Sequence, residues 1–356
     1  MARVRWIDVA RGIGIILVVA GHSLVPDGLP NQIIFAFHMP LFFVLSGYVF
    51  GLTERAEAPI SRTLGSGVRR LLIPYAATGV VAYLYWFFIL RFQTHDLNAP
   101  LVILGIFAKT FGYGAGAVVA QFPDVGPVGP MWFLLALFLG QAILWVLLRL
   151  RRTPVLMWVA AAAVSGLGIY LGQRLYLPWS LDIALGIQIF MLAGWEAARR
   201  RLFDRGLSIR HMLLLLAIFA VDVYAGGLSL NNRQYGIIPL SIAGALAGCW
   251  LVIELSKRLA VVPWLERALG YLGTISLAIL CYHTMDTGFF HWDWIAPISF
   301  LFVPGLALFA LRMFVTVPIA WFVTSVPGLR WFYGYRRRKR ARPAARHSAR
   351  IATEEK

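Results

Sequence analysis

Charge is what this chain has least of. Only 14% of its 356 residues are Asp, Glu, Lys or Arg, against about 25% in an average soluble domain, while 60% are hydrophobic and the mean hydropathy is +0.73. Such a chain cannot cover a water-facing surface, which excludes an ordinary soluble enzyme and points to an integral membrane protein. Cysteine is nearly absent: Cys249 and Cys281 are the only two, each inside an apolar run. That excludes a disulfide framework, and no Cys/His spacing offers a metal site. Acidic residues number 16 against 33 basic ones, for a net charge of +17. Nucleic acid is set aside as a partner because the basic residues form short clusters between apolar runs, the pattern that membrane orientation produces.

Long hydrophobic runs are abundant. A spanning helix needs about 20 apolar residues, and ten stretches qualify: 9–26, 31–51, 71–91, 129–149, 154–172, 178–197, 210–227, 236–255, 269–287 and 296–325. The basic start, MARVRWIDVARG, resembles a signal peptide, but no small-residue cleavage site follows before the next run, so the first run is read as a retained helix. Short loops predict an all-α, polytopic membrane bundle of about ten transmembrane helices over residues 1–328. A basic tail without apolar period follows at 329–356, read as disordered and held near anionic lipid headgroups.

Charge also predicts the orientation. With ten spans and both termini in the cytoplasm, Arg91, Lys109, Arg174 and Arg233 fall outside and Arg312 lies within the last run. Every other one of the 33 basic residues then falls inside. The stretch LVILGIFAKTFGYGAGA (101–117) is broken by glycines and Lys109, and counting it as a span would reverse this asymmetry. It is read as a re-entrant or interfacial segment on the outer side.

Three apolar runs carry a histidine toward their outer ends. In RGIGIILVVAGH, Arg11 and His22 are eleven positions apart, which at 100° per residue is about three turns plus 20°, so they share a helix face about 16 Å apart along the axis. Arg11 at the cytoplasmic boundary puts His22 in the outer leaflet, and Asp8 falls near enough to pair with Arg11. The second run descends from outside, so His38 enters at similar depth, and LGTISLAILCYHTMD brings His283 and Asp286, three apart, to the outer end of the ninth. Intramembrane ionisable groups are costly and face the bundle interior or a wet cavity, which makes each a functional candidate. The bland alternative is a neutral histidine hydrogen-bonded across helices.

Asp182, Asp222, Asn231, Asn232, Arg233 and Tyr235 also fall at outer ends or loops, a mixture suited to a hydroxyl-rich acceptor or simply to solvated loops. On the inner side Arg55, Arg62, Arg69 and Arg70 precede the third run. Arginine forks bind phosphates, although positive-inside topology alone predicts arginines here. Gly47, after Ser46, is expected to permit close helix approach, and Trp132 to sit in an interfacial aromatic belt.

WIDVARGIGIILVVAGH, FAFHMPLFFVLSGYVFG, RRLLIPY, GPMWFLLALFLGQ and GTISLAILCYHT occur in this order. Together they resemble the acyltransferase type 3 family of membrane O-acyltransferases, in particular the branch similar to fucose 4-O-acetylases, over residues 5 to 326. The resemblance implies a bacterial inner-membrane enzyme that moves acetyl from cytoplasmic acetyl-coenzyme A, a co-substrate and not a bound cofactor, to hydroxyls of an extracytoplasmic glycan or glycolipid. Arg11 and His22 match the family's basic residue, ten-residue gap and histidine; Phe42, Phe43, Ser46 and Gly47 match its Phe-Phe-x-x-Ser-Gly. The family's arginine pair before the third span is separated by two residues, whereas Arg69 and Arg70 are adjacent.

With that implication His22 becomes the general base, Arg11 a group near donor phosphates or developing negative charge, and Arg62, Arg69 and Arg70 the donor-binding set. His38, Ser46, His283 and Asp286 are catalytic or acceptor-side candidates. Direct attack by the hydroxyl and passage through an acetyl-enzyme on histidine or serine are both open. The rival reading is a transporter of a lipid-linked sugar or small anion that uses the same histidines as a proton relay. The lack of an internal repeat weighs against it. A scaffold without chemistry leaves the histidines unexplained.

Overall fold

The structure is a computed structural model that describes residues 4–24, 28–53, 55–85, 88, 107–113, 129–149, 153–289 and 305–333. Among these residues it is all helical, with one isolated bridge between Ser229 and Gln234. Helices α1 (Arg5–Gly21) and α2 (Leu29–Leu52) form a hairpin. Helix α3 (Ile60–Gly67) passes through a π turn (Val68–Leu72) into α4 (Ile73–Tyr85). Then come α5 (Trp132–Arg149), α6 (Pro154–Gly172), α7 (Leu181–Gly186), α8 (Gln188–Arg199), α9 (Ile209–Tyr224), α10 (Ile238–Leu259), α11 (Pro263–Phe289), α12 (Leu306–Ser325) and α13 (Leu329–Phe332).

Each of the ten expected runs holds helix among the described residues. Among the described residues six helices are long and apolar enough to cross a membrane, and a seventh is made by the pair Pro178–Gly186 and Gln188–Arg199, bent by 55°, if it is one broken span. Two of the expected runs hold a helix shorter than the run, for local causes. Helix α1 stops after 17 residues at Gly21, capped by His22. Helix α9 stops after 16 at Tyr224, where Gly226 and Gly227 turn the chain at φ +104° and +60°. The apolar composition of both runs continues past the helix, so composition overstated their length. Of the segment read as re-entrant, residues 107–113 are described and Ala108–Tyr113 forms a π turn, while the rest lies outside the described residues. So do residues 334–356 of the tail, while Leu329–Phe332 is helical and Tyr333 is buried.

Two helix pairs are drawn together by reciprocal glycines, as expected where small residues must replace the hydrophobic effect as the source of helix association. In α1 against α11, a Cβ on Gly12 would meet the Leu269 carbonyl oxygen at 2.0 Å, and one on Gly273 the Asp8 carbonyl oxygen at 1.8 Å. In α2 against α8, a Cβ on Gly47 would meet the Met191 carbonyl oxygen at 1.9 Å, and one on Gly194 the Val44 carbonyl oxygen at 2.0 Å. The role read for Gly47 is borne out. Trp132 is not at an interface: it is 3% exposed, packed edge-on against Phe133 in the core.

Because α1 and α11 run side by side in the same direction, the residues of one find partners of the other at equal depth. Asp8 and Gly273 meet near the start of the pair, and His22 and His283 meet at its far end.

Candidate active site

The far end of the bundle gathers the intramembrane ionisable groups. The His22 ring, at the C-cap of α1, lies 5.4 Å from that of His283 between centroids, tilted by 51°. His283 Nδ1 is 3.3 Å from Asp286 Oδ2, as their i, i+3 spacing on α11 predicts. The same oxygen is 3.1 Å from Arg312 Nε of α12, so the carboxylate bridges an imidazole and a guanidinium. Arg312 Nη1 then donates to the His22 backbone carbonyl and, at 3.3 Å, to Ser23 Oγ. Asn31 Nδ2 donates to the Gly21 carbonyl at 2.6 Å. Two of the carbonyls that end α1 are thus held by α2 and α12, and a cation at a helix C-terminus also complements the macrodipole. His283, Asp286 and Arg312 are buried, whereas His22 is half-buried. Among the described residues His283 Nε2 has no hydrogen-bond partner.

His38 is bound differently. Its Nδ1 donates to the Ile34 carbonyl one turn back at 2.7 Å, which leaves Nε2 as the acceptor. Phe35 packs on both His38 (5.0 Å) and His22 (5.8 Å). His38 therefore belongs to the same end of the bundle, with an aromatic ring between it and His22.

The opposite end opens into a cavity of about 570 Å³, a size typical of small-molecule sites. Arg11, Arg55, Arg69 and Arg70 line it. Arg11 Nη1 is 3.8 Å from Asp8 Oδ1, the pair expected from their spacing. Arg69 and Arg70 occupy the π turn, a distortion frequent at functional sites. Arg62 lies outside the lining, exposed on α3. Arg55 sits on the loop after α2, which Arg149 pins by donating to the Ala56 and Glu57 carbonyls, each at 2.9 Å. Burial, and after it the neighbouring Arg70 charge, lower the Arg55 pKa from its usual value. Such a crowd of cations is stabilised by an anion.

From these arginines the cavity follows α1 through Ile15 to Val18, with Met39, Phe42, Leu277 and Leu280 also lining it. Val18 is one turn before His22, Met39 is next to His38, and Leu280 is one turn before His283. The lining thus stops one helical turn before His22 on α1 and before His283 on α11, and beside His38 on α2. Ser46 lines it midway and accepts a hydrogen bond from Gln141 Nε2 at 3.1 Å.

The outer-loop candidates form a separate group. Arg233 Nε donates to Asp182 Oδ2 at 2.9 Å in a buried pair, with the Arg233 guanidinium 4.2 Å from the Tyr176 ring centre. Tyr235 is buried beside them, and burial pushes its phenol up from the ordinary value. Asp222 is buried against Gly244, while Asn232 is exposed and accepts from Asn231 at 3.4 Å. None of the five lines the cavity. Among the described residues no cluster of His, Cys, Asp or Glu is arranged to hold a metal ion.

Residues 4–325 match the family described as the acyltransferase domain of acyltransferase type 3. The chain belongs to the acyltransferase type 3 family. No curated protein and no solved structure matches it. Within this family member, sequence reasoning passed over Arg312, Gln141 and Tyr333. Arg312 had a signal: it is the one arginine in the middle of an expected span and not near its end, and intramembrane charge is functional by default. Gln141 is likewise the lone side-chain amide in WFLLALFLGQAILWVLL. Tyr333 had none, because only the fold brings the chain after α12 back to the cavity, where the Tyr282 hydroxyl meets that of Tyr333 at 3.1 Å.

Proposed function

We propose that this acyltransferase moves an acetyl group from cytoplasmic acetyl-coenzyme A to a hydroxyl of an extracytoplasmic glycan or glycolipid, with His22 as general base. The observation that carries the reading is the cavity between an arginine-lined mouth and the histidine cluster. A large anionic donor fits it in one sense only: phosphates among Arg11, Arg55, Arg69 and Arg70, and the slender pantetheine arm along α1 toward His22. The enzyme sits in a bacterial plasma membrane with about ten crossings and both termini in the cytoplasm, the orientation that the basic residues favour.

In the reaction the acceptor hydroxyl oxygen attacks the thioester carbonyl while neutral His22 takes its proton. The tetrahedral intermediate collapses, the C–S bond breaks, and the thiolate leaves and takes the proton back from the imidazolium. The products are the O-acetyl ester and free coenzyme A. Direct transfer is favoured over a seryl intermediate because Ser46 is bonded to Gln141, not to a histidine, and lies eight residues of α2 from His38, about 12 Å along the axis. An activated serine needs its base in hydrogen-bond reach.

The test is turnover of radiolabelled acetyl-coenzyme A by purified protein in nanodiscs, with a cell-envelope glycan fraction as acceptor, beside His22→Ala. Label should enter glycan with the wild type and not with the variant. A donor that neither binds nor turns over in either protein would overturn the proposal and restore the transporter reading.

A further inference from the structure

The cavity wall between the arginine mouth and the histidine end is mostly hydrocarbon, from Ile15, Val18, Phe42, Leu134, Leu137 and Leu277. Gln141 and Ser46 interrupt it from opposite sides, on α5 and α2, and are joined by the Gln141 Nε2 to Ser46 Oγ bond. A polar pair lining a passage at membrane depth is expensive unless something uses it. Its hydrogen-bonding capacity is also incomplete. Ser46 accepts in that bond and keeps its own proton; Gln141 keeps its carbonyl oxygen and a second N–H, neither of which has a protein partner among the described residues. What remains is at least one donor and one acceptor side by side, the complement of a secondary amide.

We propose that Gln141 and Ser46 form a subsite for a ligand amide, one of the two in the pantetheine arm, so that the donor is recognised as a pantetheine thioester and not only as an anion. The proposal rests on the donor reading above and adds to it a second, uncharged point of recognition. An acyl phosphate has no amide to place there, and a purely hydrocarbon chain would leave the pair unsatisfied. The location is consistent with the thioester reaching the histidines: Ser46 lies about 12 Å below His38 along α2, on the path from the mouth. The pair sets the depth of the arm, while the arginines hold the phosphates.

The two halves of coenzyme A separate these contributions. Binding of coenzyme A, 3′,5′-ADP and pantetheine to the full chain in nanodiscs is measured by competition against labelled coenzyme A, for wild type, Gln141→Leu and Ser46→Ala. Gln141→Leu should weaken pantetheine about tenfold, the loss of roughly one hydrogen bond to a buried polar group, and leave 3′,5′-ADP unchanged; Ser46→Ala should act in the same direction. Retained 3′,5′-ADP binding shows that each variant is folded. Equal pantetheine affinity in wild type and both variants overturns the amide subsite while the donor reading stands. Failure of the wild type to bind coenzyme A or 3′,5′-ADP overturns both.

Discussion

The rings of His22 and His283 lie 5.4 Å apart, brought together by α1 and α11, whose glycines let the two backbones touch near their starts. Among the described residues only one of the two histidines carries a carboxylate: Asp286 is 3.3 Å from His283, while His22 is held through its backbone carbonyl. His22→Ala should therefore lower kcat by about 10²- to 10⁴-fold, the usual worth of a positioned base, with the KM for acetyl-coenzyme A nearly unchanged. The steady-state constants and helical circular dichroism check it; a variant with near wild-type kcat contradicts the assignment.

Arg312 joins α12 to α1 and α11 through His22, Ser23 and Asp286. Arg312→Ala leaves a buried carboxylate without its cation, which costs about 3–5 kcal/mol. Thermal unfolding in detergent should fall accordingly, and Asp286→Ala should do the same. The double variant Arg312→Met, Asp286→Leu removes both charges and should recover most of that stability without recovering activity. A double variant as unstable as the singles would show that the individual hydrogen bonds, not charge pairing, hold this end together.

The glycines separate close packing from ordinary helix. A methyl group on Gly47 would stand 1.9 Å from the Met191 carbonyl oxygen, whereas one on Gly65 meets nothing within 4 Å. Gly47→Ala should cost about 1–3 kcal/mol by overpacking and lower activity through the displaced α2. Gly65→Ala on α3 should be neutral or stabilising by up to about 1 kcal/mol, since it only removes backbone freedom. Melting temperatures of the two variants, measured side by side, decide.

Helix positions were readable because membrane spans announce themselves by composition, and the three histidines because charge inside such a run is rare. Arg11 with Asp8, His283 with Asp286 and the packing role of Gly47 follow from helical spacing alone. The ends of two helices were not readable, since Gly21 and Tyr224 end α1 and α9 inside the expected runs. Neither was the choice among the inner arginines. Arg62 and Arg69 are seven positions apart on the same short stretch, yet Arg69 and Arg70, on the π turn, line the cavity and Arg62 does not. The Asp182–Arg233 pair shows the same limit: nothing in the spacing of two loop residues so far apart in the chain announces that they bond to each other.

That difference among arginines is measurable. Replacing Arg69 and Arg70 together by alanine should raise the KM for acetyl-coenzyme A about tenfold or more and flatten its dependence on salt, because both line the cavity and phosphate contacts are screened by ions. Arg62→Ala, outside the lining, should leave KM within about twofold. An equal effect of all three would assign them to membrane orientation alone.

Orientation has an independent check, because the two native cysteines are 1% and 0% exposed and should label poorly. Arg62 and Asn232 are both exposed, one at the arginine end and the other in the loop before α10. If the arginine end faces the cytoplasm, Asn232→Cys should react with a membrane-impermeant maleimide on intact cells, and Arg62→Cys only after permeabilisation. The reverse pattern would put the cavity mouth outside, where acetyl-coenzyme A is absent, and the proposed donor route would be lost even if the fold and the histidine cluster were unchanged.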